Sequence, residues 1–144
     1  MAHQEPKIMR SLSLILLLLP AMAYAKPPQE VVRIARILAY PDFPTQKDIL
    51  AICKIESDYR AEAVNPEKGI PSVGIMQVRN GPMVVWQNMS LGVAQLRYNY
   101  RVLHNREAAV KAYNVGIRGY RQKLAPTAAE IYWGKFVKAK EGLN

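Results

Sequence analysis

The chain has 144 residues, of which 50% are hydrophobic, so it has the length of one domain with one modest core. Its 20 Lys and Arg residues outnumber its 11 Asp and Glu residues, which gives a formal net charge of +9 at pH 7. The single cysteine, Cys53, excludes an intramolecular disulfide, and with only two histidines beside it we expect no metal site and no cofactor.

The first 25 residues have the pattern of a secretory signal peptide. Lys7 and Arg10 form a basic start, residues 12–19 an apolar run, and Ala23-Tyr24-Ala25 a small-x-small cleavage site. The run is short for a membrane span, although an uncleaved anchor is the alternative. We therefore predict a periplasmic or secreted protein of residues 26–144 with no stable membrane insertion after cleavage. N-terminal sequencing of the exported form checks this boundary.

Loss of the signal leaves 18 basic and 10 acidic residues, a net charge of +8. For an exported protein this charge predicts an anionic partner: a cell-wall polymer, a membrane surface or nucleic acid. The positive charges are spread over several predicted helices rather than packed into one run, which disfavours a dedicated nucleic-acid arm.

In chain order, residues 31–38 combine apolar side chains with two arginines and predict a short helix. Two prolines then predict a turn at 40–44, because proline cannot continue a helix. Thr45 is positioned to cap a second helix, and Asp48 falls in its first turn, where a negative charge complements the helix dipole.

This second helix ends its apolar stripe on a carboxylate. With a period of 3.6, Ile49, Ile52, Cys53 and Glu56 share one face. Burial against the core and the negative end of the helix dipole both favour the neutral, proton-carrying form that a general acid needs. The ordinary alternative is a glutamate at a frayed helix end with its carboxylate in water. Cys53, on the same stripe, is predicted to be a small core residue.

Residues 59–88 lack a regular period and are punctuated by glycine and proline. A loop of about thirty residues is longer than usual and tends to be functional or disordered. Its apolar residues, from Ile70 to Trp86, favour a packed functional loop, and the pattern allows a small β-hairpin within it. Trp86 itself is predicted to lie in the core, with stacking against a sugar as the alternative.

Three helical segments follow the loop. Ser90 is positioned to cap the first, and the second runs from Glu107 to a predicted stop at Gly116. Thr127 and Glu130 have the spacing of a capping box that opens a last helix. Because no alternating run is long enough for a major sheet, the predicted class is all-α.

Four short motifs occur in order: Glu56-Ser57, Gly74-Ile75-Met76-Gln77, Ala112-Tyr113-Asn114-Val115-Gly116 and Tyr132-Trp133. Each is weak alone, but together, over about residues 45–140, they resemble the catalytic domain of soluble lytic transglycosylases. The resemblance implies a lysozyme-like, mainly helical fold. It also implies that residues 26–144 form the catalytic domain.

The resemblance assigns roles by position. Glu56 matches the family's single catalytic acid and base, and Tyr132 matches a tyrosine that hydrogen-bonds the catalytic carboxyl. Met76 and Gln77 match an element that lines the saccharide cleft, with Ile75 in place of the usual leucine.

Tyr113 and Asn114 match the Ala-Tyr-Asn element, whose asparagine is thought to contact the acetamido group of the sugar. The ordinary alternatives are that Met76 and Tyr113 are core residues and that Asn114 caps its helix. Ser57 is better interpreted as a helix-end hydroxyl that bonds locally.

The chain departs from the family pattern at three places. Pro71 stands where many members have glycine, and Val115 replaces the usual alanine. Ala128-Ala129 occupies the place of a common Glu-Thr pair, which puts any polar role there in doubt but leaves Tyr132 in register.

The implied activity is cleavage of the MurNAc–GlcNAc bond of peptidoglycan with formation of an anhydromuramic end. One alternative is a lysozyme-type hydrolase of the same bond, and another is a non-catalytic basic wall-binding module. We expect a monomer whose partner is the glycan strand and not nucleic acid. The small size fits a specialised enzyme that opens the wall for a secretion, conjugation, pilus or phage apparatus.

The implied chemistry needs one protein carboxylate. Glycosidases ordinarily use two, but in this family the N-acetyl group of the substrate is thought to replace the second. Asp58 would lie on the opposite face of the helix from Glu56, and Glu62 and Glu67 follow in the loop. For Asp48, near the helix start, a capping role is a sufficient explanation. The sequence therefore predicts that Glu56 works without a partner carboxylate.

Overall fold

A computed structural model describes residues 26–66 and 69–144, so the predicted signal peptide and Glu67 lie outside the described residues. Within them the chain is mainly helical, as predicted, and it also has a small antiparallel sheet. The elements, in chain order, are α1 (Gln29–Leu38), α2 (Gln46–Ser57), β1 (Val64–Asn65), β2 (Ser72–Val73), β3 (Val78–Arg79), α3 (Val85–Leu103), α4 (Arg106–Arg121) and α5 (Pro126–Glu141).

Helix α2 is the centre of the core, with α1 and α5 packed against it. All residues from Ile49 to Cys53 are buried, so burial extends beyond the predicted stripe to Leu50 and Ala51. Helices α3 and α4 pack against each other, and α4 also packs against α5. The end of α2 is thereby held among the other helices.

A capping box fixes the start of α2, as the position of Thr45 predicted. The N–H of Thr45 donates to Oδ2 of Asp48 at 2.8 Å, and the N–H of Asp48 donates to Oγ1 of Thr45 at 3.3 Å. Asp48 is 1% exposed and also forms an ion pair with Lys140 at 2.7 Å. Asp48 therefore does more than the predicted helix-start role, because it fastens the end of α5 to the start of α2.

The hairpin that the loop pattern allowed is present as part of a three-stranded antiparallel sheet in the order β1-β2-β3. Val73 pairs with Val64 of β1 on one side and with Val78 of β3 on the other. Residues 74–77 form the turn between β2 and β3. The sheet is therefore the frame of one of the four motifs.

Two predicted helix starts were wrong. Helix α3 has already begun before Ser90, whose hydroxyl donates to the carbonyl oxygen of Trp86 at 2.8 Å inside the helix. Helix α5 begins at Pro126 without a side-chain cap, since proline at the first helical position is already set for the helix. Glu130 pairs with Lys111 of α4 instead of closing the predicted capping box.

The predicted stop at Gly116 is a break within α4, where glycine takes φ 76° and ψ 158°. Helical turns resume beyond it, up to Arg121. In the part of the chain that the structure describes, no helix combines the length and the hydropathy required to cross a bilayer.

Candidate active site

Glu56 is half-buried in the last turn of α2. The helix ends after Ser57 because Asp58 takes left-handed backbone angles, φ 53° and ψ 43°, and its N–H donates to the carbonyl oxygen of Lys54 at 2.9 Å. The carboxylate of Asp58 pairs with Lys54 one turn earlier. Glu56 thus stands at the end of a buried helix.

The hydroxyl of Tyr132, on α5, donates a hydrogen bond to Oε1 of Glu56. The two residues are 76 positions apart, and the packing of α5 against α2 brings them together. Burial, and after it the negative charge of Glu56, raises the pKa of Tyr132 well above its usual value of 10.0. The phenol therefore stays protonated at neutral pH and remains a donor to the carboxyl group.

Tyr113, on α4, brings a second phenol to the same place. Its hydroxyl donates to the carbonyl oxygen of Met76 at 2.7 Å. Burial raises the pKa of Tyr113 well above 10.0, and the charge of Glu56 adds to the rise. The charge of Glu56 therefore influences both phenols, and we refer to Glu56, Tyr113 and Tyr132, which lie on α2, α4 and α5, as the Glu56 cluster.

The turn at residues 74–77 is the loop element that Tyr113 anchors. The N–H of Gln77 donates to the carbonyl oxygen of Gly74 at 3.1 Å, closing the turn. Nε2 of Gln77 donates to the carbonyl oxygens of Gly74 at 2.9 Å and Ala63 at 3.1 Å. The side-chain amide of Gln77 therefore fastens the turn to the residue before β1.

Asn88, in the first turn of α3, holds this turn from a fully buried position. Its Oδ1 accepts from the N–H of Met76 at 2.9 Å, and its Nδ2 donates to the carbonyl oxygens of Val73 at 2.7 Å and Pro82 at 2.8 Å. A Cβ on Gly74 would lie 2.4 Å from Nδ2 of Asn88. Glycine is thus needed there for the close approach as well as for its φ of 83°.

Sequence reasoning missed Asn88, although a signal was present. Asn88, Gly92, Leu96 and Asn99 recur at helical spacing and are all buried in α3. An amide on an apolar stripe is the same kind of anomaly that singled out Glu56, because a buried amide needs hydrogen-bond partners.

Ser57 joins the end of α2 to the same turn. The local bond predicted for its hydroxyl is present, with the carbonyl oxygen of Cys53 at 3.2 Å. The shorter bond, at 2.7 Å, goes to the carbonyl oxygen of Ile75. Because it spans 18 residues of sequence, this bond places the turn beside the residue that follows Glu56.

Of the residues predicted to bind substrate, Met76 offers its main chain rather than its side chain to the cluster. The side chain is 0% exposed and packs over Gly92, where an added Cβ would lie 2.7 Å from Sδ. Gln77 is half-buried, and Asn114 is exposed beside Tyr113 on α4. Their contacts with substrate stay predictions.

The other acidic residues near Glu56 in sequence have positions of their own. Asp48 pairs with Lys140, Asp58 pairs with Lys54, and Glu62 is exposed. In residues 26–66 and 69–144 no group of three or more His, Cys, Asp or Glu side chains could hold a metal ion.

Cys53 is fully buried, as predicted for a core residue, and burial raises the pKa of its thiol. Trp86 is 43% exposed, so the prediction that it lies in the core is wrong. Helix α3 begins earlier than predicted, so Trp86 lies in its first turn, where the indole is exposed to solvent.

Comparisons of this chain with protein-family models, with curated proteins and with solved structures found no match.

Proposed function

We propose that the chain is a peptidoglycan lytic transglycosylase, with residues 26–144 forming a lysozyme-like catalytic domain. The observation that carries the proposal is the hydrogen bond from Tyr132 to Glu56. A late tyrosine that holds the catalytic carboxyl is what the four-motif resemblance implies. The anchoring of the 74–77 turn by Tyr113 and Ser57 adds support, because it gathers three of the four motifs around one carboxylate.

In the proposed reaction Glu56 acts first as an acid. Its protonated carboxyl gives a proton to the glycosidic oxygen between N-acetylmuramic acid and N-acetylglucosamine. The N-acetyl oxygen of the muramic residue attacks C1 as the bond from C1 to the glycosidic oxygen breaks. The N-acetylglucosamine side leaves as an alcohol, and Glu56 is left as a carboxylate.

Glu56 then acts as a base. The carboxylate takes the proton of the muramic C6 hydroxyl, whose oxygen attacks C1 and displaces the N-acetyl oxygen. The product is an anhydromuramic end, no water is consumed, and Glu56 regains its proton. A half-buried carboxyl group suits a reaction from which water must be excluded.

Tyr132 has the role of positioning this carboxyl. A phenol whose pKa lies well above 10.0 does not ionise at neutral pH, so Tyr132 acts as a constant hydrogen-bond donor. Its bond favours one orientation of Glu56 and stabilises the carboxylate that forms after the first proton transfer. Tyr113 restrains the 74–77 turn through the Met76 carbonyl oxygen.

The proposed partner is the glycan strand of peptidoglycan, reached after export to the periplasm or the exterior. Gln77 and Asn114 are the proposed substrate contacts beside the carboxyl, whereas Met76, which is fully buried, supports the 74–77 turn from within the core. The proposed biological task is local opening of the wall for a secretion, conjugation, pilus or phage apparatus.

The test is mass spectrometry of the muropeptides that the purified protein releases from sacculi. Glu56→Gln should abolish release while circular dichroism stays unchanged, because the amide keeps the shape of the side chain but cannot cycle a proton. Asp58→Asn, Glu62→Gln and Glu67→Gln are matched controls and should each retain most of the activity.

Three outcomes contradict the proposal in different ways. Products with reducing ends, one water heavier than anhydro products, indicate a lysozyme-type hydrolase. Sedimentation with sacculi without any release indicates a wall-binding module. A loss in one of the control variants as deep as that of Glu56→Gln indicates a second catalytic carboxylate.

A further inference from the structure

A basic groove lies between the second half of α3 and the part of α4 beyond its break. Its volume is about 540 Å³, in the range of ligand sites. Helix α3 lines it with Gln95, Tyr98 and Val102, and α4 lines it chiefly with Arg118 and Arg121. Both guanidinium groups belong to exposed residues, and none of the lining side chains that the structure describes is acidic.

The groove lies on the same two helices that carry Gly92 and Asn114 beside the candidate active site. Gly92 supports Met76, whose carbonyl oxygen accepts from Tyr113, and Gln95 follows Gly92 by less than one turn, about 4.5 Å along α3. On α4, Ile117 enters the groove three residues after Asn114. Both helices therefore lead from the cluster into the groove.

Two features of α4 form the basic side of the groove. The break at Gly116 redirects the chain, and only its backbone angles require glycine, because an added Cβ would meet nothing within 4 Å. Beyond the break, Nε of Arg118 donates to Oε1 of Gln122 at 3.2 Å, which orients the guanidinium.

Two neighbouring guanidinium groups beside a phenol and side-chain amides suit a carboxylate-bearing ligand, since arginine binds carboxylates through paired N–H groups. A neutral sugar gives these charges no counterpart. Because Gln95 and Ile117 each follow Gly92 and Asn114 by three residues on the same helices, a ligand joined covalently to the glycan strand near the point of cleavage suits this groove. The peptide stem of the muramic residue meets both conditions, as it bears free carboxylates.

We propose that this groove binds the acidic peptide stem of the glycan strand, with Arg118 and Arg121 as its carboxylate-binding residues. The inference rests on the proposed function for the identity of the strand. It assigns to the chain a preference for glycan that still carries its stems.

The test compares cleavage of stem-bearing strands with cleavage of strands whose stems an amidase has removed. The wild-type protein should show a kcat/KM about 10-fold higher on stem-bearing strands, the effect of one charge-assisted contact. The double variant Arg118→Gln/Arg121→Gln should lose most of this preference. Arg36→Gln, an exposed arginine on α1, is the matched charge control and should keep it.

Two cleavage results overturn the inference while the proposed function stands: no preference in the wild type, or the same preference in the double variant. A second measurement separates the two proposals. Calorimetric titration with a free tetrapeptide stem needs no catalysis, and binding should be lost in the double variant but not in Arg36→Gln. If no strand is cleaved, the proposed function fails. If the wild type and both variants bind the free stem equally, the inference that the groove binds the stem is overturned as well.

Discussion

Tyr132→Phe removes one hydroxyl group from the centre of the candidate active site and leaves the aromatic ring in place. The ring is buried, with 7% of the residue exposed, so phenylalanine keeps its packing in α5. What is lost is the hydrogen bond to Oε1 of Glu56. Because Glu56 is only half-buried, water can replace the phenol as a donor to the carboxylate.

The expected cost to folding is therefore small, about 1 kcal/mol, which corresponds to a fall in Tm of about 3–5 °C for a chain of this size. The expected cost to catalysis is larger, since water does not hold the carboxyl in one orientation. A hydrogen bond to a charged group contributes about 1.5–3 kcal/mol, which corresponds to a loss of about 10- to 150-fold in kcat.

The assay measures initial rates on purified glycan oligomers, with thermal unfolding followed by circular dichroism. We expect kcat to fall while KM changes little. Tyr40→Phe, a hydroxyl removed from a tyrosine that is 40% exposed in the turn before α2, is the control and should leave both constants unchanged. An unchanged kcat in a folded Tyr132→Phe variant would refute the positioning role.

Three further predictions test the surroundings of the site. Gly74→Ala should destabilise the protein by about 2–4 kcal/mol in urea unfolding. The added Cβ would lie 2.4 Å from Nδ2 of Asn88, at a backbone φ of 83°. A stability within error of wild type would show that the turn can shift freely. Lys111→Met should lower the free energy of unfolding by about 1 kcal/mol, and by less at high salt. The reason is that the ammonium group pairs with two glutamates that water can reach. A loss of stability that is independent of salt would contradict the ionic explanation. Burial raises the folded-state pKa of Tyr113 and Tyr132 above 10.0, so their contribution to stability should be fully present below about pH 10 and lost as the pH rises further. Unfolding free energies measured across the alkaline range check this sign. A lower tyrosinate absorbance at about pH 10 in the folded Tyr113→Phe/Tyr132→Phe variant than in the wild type would contradict it, because it would mean that these two phenols ionise at their ordinary pKa.

Much of the local structure could be predicted from short stretches of sequence. The period of α2 placed Glu56 at the end of an apolar face, and Thr45 with Asp48 fixed the start of that helix. Gly116 was predicted to end its helix and marks the break within α4. Each of these features depends on residues within a few positions of one another, where periodicity, capping and backbone freedom act directly.

Tertiary structure decided the features that join distant residues. The spacing of Thr127 and Glu130 suited a capping box, but Glu130 pairs with Lys111, 19 residues away, and Pro126 starts the helix. The bonds of Asn88 to the loop followed no local rule, since each partner is a main-chain group placed by another element.

The candidate site is divided in the same way. Its residue types could be predicted, but the bond between Tyr132 and Glu56 spans 76 residues and exists only because α5 packs against α2. Packing against α2 buries apolar side chains from both helices, and that non-directional force sets the distance between the two polar groups. Sequence periodicity selects the face that each helix buries, whereas the position of one buried face against another is settled only when the whole core forms.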